Sequence, residues 1–194
     1  MESTALEKDI LFEADHPFLC GMEYLFQSDT RLYFVLPFVG GGVLDKIVDD
    51  RARLEEQIVK FYAAQLIIGL GKLHERGVIH RDVKLQNIMV DTTGYIKIID
   101  FGLAKALSEE QEATTFCGTF EYIAPELIRG ESYGQNVDWW ATGCIIFKML
   151  FGVSPFFDRN QQVLMKKIQN KAVVFPDKRR FEIDYSDAVV DIIN

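Results

Sequence analysis

The sequence predicts an α+β protein, with a small sheet-bearing piece over 1–39 and a mostly helical domain over 40–194. Three observations predict it. Two short apolar, aromatic-rich runs, at 20–27 and 31–38, flank the turn Ser28-Asp29-Thr30-Arg31 and read as a pair of strands. Helical periodicity takes over from about residue 43 and is strongest at 55–76 and 137–151. With 48% apolar residues in 194, the chain can bury a substantial core.

Taken in order, residues 2–14 carry Leu6, Ile10 and Leu11 on one helical stripe, with Glu7 and Lys8 among them. No capping residue precedes that pattern, which predicts a helix whose start lies upstream of Met1. His16-Pro17-Phe18 makes a turn before the two strands, and Gly40-Gly41-Gly42 reads as a flexible connector. A helix follows over 43–50. A longer one over 55–76 places Ile58, Phe61, Tyr62, Leu66, Leu70 and Leu73 on its apolar face, and Gly77 stops it. Val78-Ile79, 87–90 and 95–99 are short strands, the last two joined by the turn Thr92-Thr93-Gly94. Residues 104–120 lack periodicity and read as a loop. Helices return at 124–129, 137–151, 160–169 and 186–193.

Composition removes several classes. The net charge of −8 and the lack of a basic stripe argue against a nucleic-acid partner. Cys20, Cys117 and Cys144 are widely spaced, which fits reduced thiols in a cytoplasmic or nuclear protein better than a disulfide framework or structural zinc. The N-terminus has no secretory pattern. The apolar stretch from Trp139 to Phe151, broken by Lys148, is shorter than the about 20 residues a membrane span needs, so it reads as a buried helix with no transmembrane segment.

The informative stretch is Val78 to Asp91, which sets His80, Arg81, Asp82, Lys84, Gln86 and Asn87 between apolar flanks. Polar groups buried without partners cost roughly 1–3 kcal/mol each, so these either satisfy one another or await a ligand. Asp100, between a strand and a glycine, adds a carboxylate on a bendable turn. Asn87 and Asp100 together form an oxygen-rich donor set of the kind that suits Mg²⁺. Lys84 could offset charge on a transferring phosphoryl group, and Asp82 could orient a hydroxyl and accept its proton. Arg81 is a fork-shaped cation suited to a phosphate or carboxylate.

These residues, in this order, resemble the eukaryotic protein kinase family. His80-Arg81-Asp82 with Lys84 and Asn87 is similar to its catalytic loop, Asp100-Phe101-Gly102 to its metal-binding turn, and Ala124-Pro125-Glu126 to the end of its activation segment. Asp138 resembles the residue that props the catalytic loop. Lys84, two residues after Asp82, is similar to the serine/threonine branch; Thr114–Glu126 and Asp138–Gly143 resemble the AGC branch, which includes the cyclic-nucleotide-dependent kinases.

The resemblance implies a kinase fold with a partial N-terminal lobe, and transfer of the γ-phosphoryl group of ATP, with Mg²⁺, to a protein serine or threonine. It makes Asp82 the base, Asn87 and Asp100 the metal ligands, Lys84 a γ-phosphate contact, and Thr119 a partner of Asp82 and Lys84. Glu7 would be the helix-C glutamate. Leu11, Met22, His80 and Phe101 would stack as a spine anchored by Asp138. Met89 would lie under adenine, Pro37 and Val39 would meet it with backbone groups, and Leu36 would be the gatekeeper. Thr115 would be phosphorylated by an upstream activating kinase and pair with Arg81 and Lys105; Ser3 stands where relatives carry a helix-C histidine. Phe120, where relatives have proline, alters the acceptor pocket, and Leu103 leans towards serine as acceptor. His16 and His74 read as structural, and Cys117 is not assigned as a nucleophile.

Some family features are missing. No glycine-rich loop and no strand lysine precede Glu7, and the arginine that would pair with Glu126 falls beyond Asn194, so the chain reads as truncated at both ends, poorly stable and nearly inactive by itself. Positions that carry acidic residues in kinases preferring basic substrates read Val43, Gln86 and Lys166, which predicts weak selection for arginine upstream of the acceptor. The alternative is a non-catalytic binding module, a pseudokinase or truncated isoform. A small-molecule kinase is disfavoured by Thr119 and Ala124-Pro125-Glu126, which resemble a peptide-docking platform.

Overall fold

The structure is a computed structural model that describes residues 2–107 and 117–194. Thr115 and the Ser3 side chain lie outside what it describes. The architecture is α+β and predominantly helical. Helix α1 spans Glu2–Glu13 and buries Ile10 and Leu11, the stripe its sequence predicts. A hairpin follows, β1 (Tyr24–Gln27) paired antiparallel with β2 (Leu32–Val35). The first strand is shorter than predicted because residues 18–20 are used elsewhere. Phe18 and Cys20 exchange backbone hydrogen bonds with Ile98, so this stretch runs alongside a later strand.

Gly42–Val43 is strand β3, not a free connector, and pairs with Val90 and Met89 of β5 (Ile88–Val90). The glycines permit that approach. A Cβ on Gly41 would stand 2.5 Å from the Val90 carbonyl oxygen and 2.6 Å from that of Asp91. The three-stranded sheet is completed by β6 (Ile96–Ile98), antiparallel to β5 with Met89 opposite Lys97. Helix α2 (Leu44–Arg51) leaves β3 directly and buries Leu44 and Val48.

Helix α3 (Glu56–Glu75) turns Val59, Ala63, Leu66, Leu70 and Leu73 inward. That stripe is rotated from the predicted one: Phe61 is 45% exposed and lies against the Tyr95 ring, 5.5 Å between centroids, outside the core. A run of apolar residues on both sides of a helix does not reveal which side packs, and the smaller residues here allow a later helix to approach. Helix α5 (Asn136–Phe151) packs against α3 and buries most of its length. Helix α4 (Pro125–Arg129) begins with proline and ends at Gly130 in the left-handed conformation. Strand β4 (Val78–Ile79) pairs with β7 (Lys105–Ala106), a strand inside the predicted loop.

Helix α6 (Gln161–Asn170) is capped by Asn160, whose Oδ1 accepts from the backbone N–H groups of Gln162 and Val163. A short α7 (Lys178–Phe181) was not predicted from periodicity; Asp177 caps it by accepting from Arg180 N–H at 2.7 Å. Helix α8 (Asp187–Ile193) is tied to the start of α3. Glu56 accepts the Ser186 N–H and O–H, each at 2.7 Å, and its neighbours hold the Glu56 carboxyl down at about 2. Cys20 and Cys144 are buried thiols, and burial raises both. Among the described residues no helix is long and apolar enough to cross a membrane.

Candidate active site

The loop between β4 and β5 is fixed from beneath by one side chain. Asp138, 1% exposed at the start of α5, accepts the backbone N–H of His80 through Oδ2 and that of Arg81 through Oδ1, both at 2.9 Å. Its Oδ2 also meets His74 Nε2 at 2.7 Å. Three partners offset the cost of burying a carboxylate. They also hold Arg81 at φ 69, a left-handed conformation rarely adopted by a long side chain. His74 reads as structural from its place near a helix end, and here it holds Asp138. Its link to Asp138 spans 64 positions and leaves no local pattern to find.

Beyond that turn the chain is extended. Val83 and Leu85 are buried, which sends Lys84 and Gln86 to the other side, and a 3₁₀ turn over Leu85–Asn87 brings the chain into β5. Asp82 is the hub. Lys84 Nζ lies 2.5 Å from its Oδ2, Asn87 Nδ2 donates to the same oxygen at 3.2 Å, and Thr119 Oγ1 donates to Oδ1 at 3.0 Å. Lys84 donates to Thr119 as well, at 3.2 Å. The arrangement closes a ring of charge-assisted hydrogen bonds around a carboxylate that is 8% exposed. Gly118, at φ 105, lets the activation-segment backbone pass close to the Arg81 carbonyl and so delivers Thr119 to Asp82.

Asn87 and Asp100 issue from neighbouring strand ends, since Ile99 N–H bonds the Asn87 carbonyl at 2.9 Å. The Asn87 amide nitrogen is committed to Asp82, which leaves its Oδ1 as a neutral oxygen donor. Asp100 sits exposed at φ 64 and accepts Gly102 N–H at 3.2 Å through one oxygen. An amide oxygen and a solvent-exposed carboxylate fit a Mg²⁺ ion that keeps several waters.

Phe101 is buried with its ring edge-on to His80, 5.4 Å between centroids, and His80 Nε2 meets the Ile99 carbonyl oxygen at 3.3 Å. Leu11 and Phe101 share the main hydrophobic core; Met22 packs against it and donates its N–H to the Leu11 carbonyl. Glu7 faces this turn. A Cβ on Gly102 would be 4.0 Å from both Glu7 carboxylate oxygens, and burial together with the Asp100 charge pushes Glu7 above its ordinary value.

Leu36 is 38% exposed, Pro37 is exposed, Val39 is buried and Met89 is half-buried in the central strand. Arg81 Nε donates to the Leu103 carbonyl at 2.6 Å and Nη1 to Tyr133 Oη at 3.2 Å. Lys105 is held in β7 opposite Ile79. Glu126 lies in α4, half-buried, with no cation at ion-pair distance among the described residues.

A self-satisfied polar loop pinned by a buried aspartate, beside an Asp-Phe-Gly turn, defines a class of phosphotransfer fold. The chain belongs to the protein kinase domain family, which matches residues 1–194. It is 39% identical to the RAC family serine/threonine-protein kinase homolog of Dictyostelium discoideum over 91% of its own length and 40% of that protein. It is 42% identical to the RAC serine/threonine-protein kinase of Drosophila melanogaster, over 89% of this chain and 28% of that one. Against the ribosomal protein S6 kinase alpha-1 of Homo sapiens it is 40% identical over 89% of this chain and 24% of that one. The chain therefore spans 24–40% of the length of these relatives. The serine/threonine kinase resemblance drawn from its motifs is borne out, and the family as a whole uses ATP and Mg²⁺.

Proposed function

We propose that the chain carries the catalytic centre of a serine/threonine protein kinase, which transfers the γ-phosphoryl group of ATP to a protein hydroxyl. The observation that carries this is the Asp82 cluster, where Lys84, Thr119 and Asn87 all bond one carboxylate. Asp82 accepts the proton of the attacking hydroxyl as its oxygen bonds to the γ-phosphorus, while the bond to the bridging oxygen of the leaving diphosphate breaks. Lys84 lies where it can leave Asp82 for the transferring group, and Thr119 keeps the carboxylate aimed. Asn87 Oδ1 and Asp100 would hold Mg²⁺, which supplies charge neutralisation at the phosphates when bound. Met89, Val39 and the backbone at Pro37 would receive the base, with Leu36 at the back. Phosphorylation of Thr115 by an upstream kinase, read by Arg81 and Lys105, and a cytoplasmic or nuclear setting complete the proposal.

A second reading, a binding module without catalysis, draws on Glu7. Its carboxylate faces Asp100 with no cation at ion-pair distance among the described residues. Phosphoamino-acid analysis separates the two. Incubation with Mg-ATP and a mixture of serine, threonine and tyrosine peptides puts label, weak for this chain by itself, on serine and threonine only, and Asp100→Asn abolishes it. Label on tyrosine, or label unaffected by Asp100→Asn, would overturn the proposal; no label with intact ATP binding would favour the binding module.

A further inference from the structure

Gln65 sits among the apolar residues on the buried face of α3, only 4% exposed, and nothing in the chemistry above uses it. Strand β6 is the last of its sheet, so its edge away from β5 needs hydrogen-bond partners from elsewhere. Residues 18–20 supply them at Ile98, which donates its N–H to the Phe18 carbonyl at 2.8 Å and accepts the Cys20 N–H at 2.9 Å. At Ile96, fully buried, the partner is a side chain: Gln65 Oε1 accepts the Ile96 N–H at 2.9 Å. The Gln65 amide nitrogen donates to the Phe61 carbonyl, one turn earlier, also at 2.9 Å. Both ends of the amide are engaged, which fixes its orientation. One turn later Gly69 lets α3 lie this close to the strand, since a Cβ there would stand 2.8 Å from Ile98 Cδ1.

The strand that Gln65 holds runs straight into the metal-binding pair. Asp100 follows Ile99, and Ile99 donates its N–H to the Asn87 carbonyl at 2.9 Å. Ile96 lies opposite Val90 and Ile98 opposite Ile88, the residue after Asn87. The placement of β6 therefore sets where Asp100 stands relative to Asn87. Little else places Asp100: its side chain is exposed, and among the described residues its carboxylate accepts only the Gly102 N–H. An alkyl side chain at position 65 would fill the same space against the sheet, but it would leave the Ile96 N–H buried without an acceptor.

We propose that Gln65 is a positioning residue for Mg²⁺: by holding Ile96 it fixes β6 against α3 and so sets the spacing at which Asn87 and Asp100 would share the ion with ATP. Gln65 touches neither the ion nor the nucleotide and acts through the strand. The inference rests on the proposed function only for its assignment of Asn87 and Asp100 as the metal pair, and it can be read without phosphate transfer.

The test measures ATP affinity by calorimetry in Mg²⁺ and in EDTA, beside a transfer assay with a serine peptide. The ratio of the two affinities is the gain that the ion brings, and Asp100→Asn, which removes that gain, sets its zero. Gln65→Met fills the space without a hydrogen-bonding group. It lowers the gain by about tenfold, the size of about one hydrogen bond, and leaves the affinity in EDTA unchanged. Gln65→Glu restores most of the gain, because a carboxyl kept protonated by burial both accepts and donates there. Val59→Ala, a buried position of the same helix with no hydrogen bond to β6, loses stability but keeps the gain. In the metal-free proteins, amide exchange across residues 95–101 speeds up in Gln65→Met and not in Val59→Ala. Gly69→Ala, which crowds Ile98 from the same face of α3, is the second variant and lowers the gain too. Circular dichroism establishes which variants are folded. A gain unchanged in whichever of Gln65→Met and Gly69→Ala is folded, an equal loss in Val59→Ala, or no gain in the unaltered protein overturns the role of Gln65. The expected pattern without phosphate transfer sinks the phosphotransfer proposal and leaves Gln65 standing, whereas transfer with an unchanged gain in Gln65→Met sinks the role of Gln65 alone.

Discussion

Asp138 and Arg81 are separated by 57 positions, yet Asp138 Oδ1 accepts the Arg81 backbone N–H at 2.9 Å and holds that residue at φ 69. The conformation turns the chain at the residue just before Asp82. Asp138→Asn keeps the shape but places an N–H₂ group against one of the two backbone donors. Stability falls by roughly 2–3 kcal/mol, the cost of losing a charge-assisted hydrogen bond in a buried site. Urea denaturation of the two proteins measures it, and a change below the scatter of the method would mean that the loop is held by other contacts.

Gly41 gives a prediction about the sheet. A side chain there meets the carbonyl oxygen of Val90 in the facing strand and that of Asp91 just after it. Gly41→Ala therefore separates β3 from β5 and destabilises by about 1–3 kcal/mol, the range for overpacking. It also moves Met89, the middle residue of that strand, so ATP binding weakens in the same variant. Gly94→Ala is the control, because nothing lies near a Cβ there, although its φ of 93 adds some strain of its own.

Acid dependence follows from Glu56. Lys60 and Ser186 lower its carboxyl from 4.5 to about 2. Because the folded value is the lower one, the unfolded chain binds the proton first, and the stabilisation is present above about 4.5 and is lost as pH falls towards about 2. Glu56→Gln removes most of that contribution. The melting temperatures of the two proteins differ most near neutral pH and converge in acid; a constant difference across the range would show that the charge is not involved.

Much of the fold was legible because its signals are local. The Leu6, Ile10, Leu11 stripe, the Gly77 stop and the polar run from His80 to Asn87 announce themselves within a few positions. What stayed hidden depends on partners far along the chain. Phe61 has the hydrophobicity of a core residue, and only the approach of α5 to the Val59 and Ala63 side of α3 turns it outward. Gly42 and Val43 become a strand because Met89 and Val90 are there to pair with, and Lys105 and Ala106 because Val78 and Ile79 are. In the site, Asp82, Lys84, Asn87 and Asp100 could be picked out by residue type and spacing. The His74 to Asp138 contact could not, since it joins two helices across 64 positions.

Thr119 offers a test of how Asp82 is aimed. Thr119→Val keeps the volume and removes the hydroxyl that bonds both Asp82 and Lys84. The maximal rate of phosphate transfer falls by about 10–100-fold while the KM for ATP changes little, the pattern of an interaction that acts on the reacting geometry. A rise in KM with an unchanged rate would assign Thr119 to nucleotide binding instead.

The most direct test of the central claim compares the protein with Asp82→Asn in ATP binding by calorimetry and in phosphate transfer to a serine peptide. Circular dichroism first establishes that both are folded. The account predicts that ATP binding stays within about threefold, since Asp82 bonds Lys84 and Thr119 and is not assigned to the nucleotide, while transfer drops by about 10²–10⁴-fold, the scale of a lost general base. Transfer that survives the substitution would contradict it, because the carboxylate around which Lys84, Asn87 and Thr119 converge would then not be the group that receives the proton.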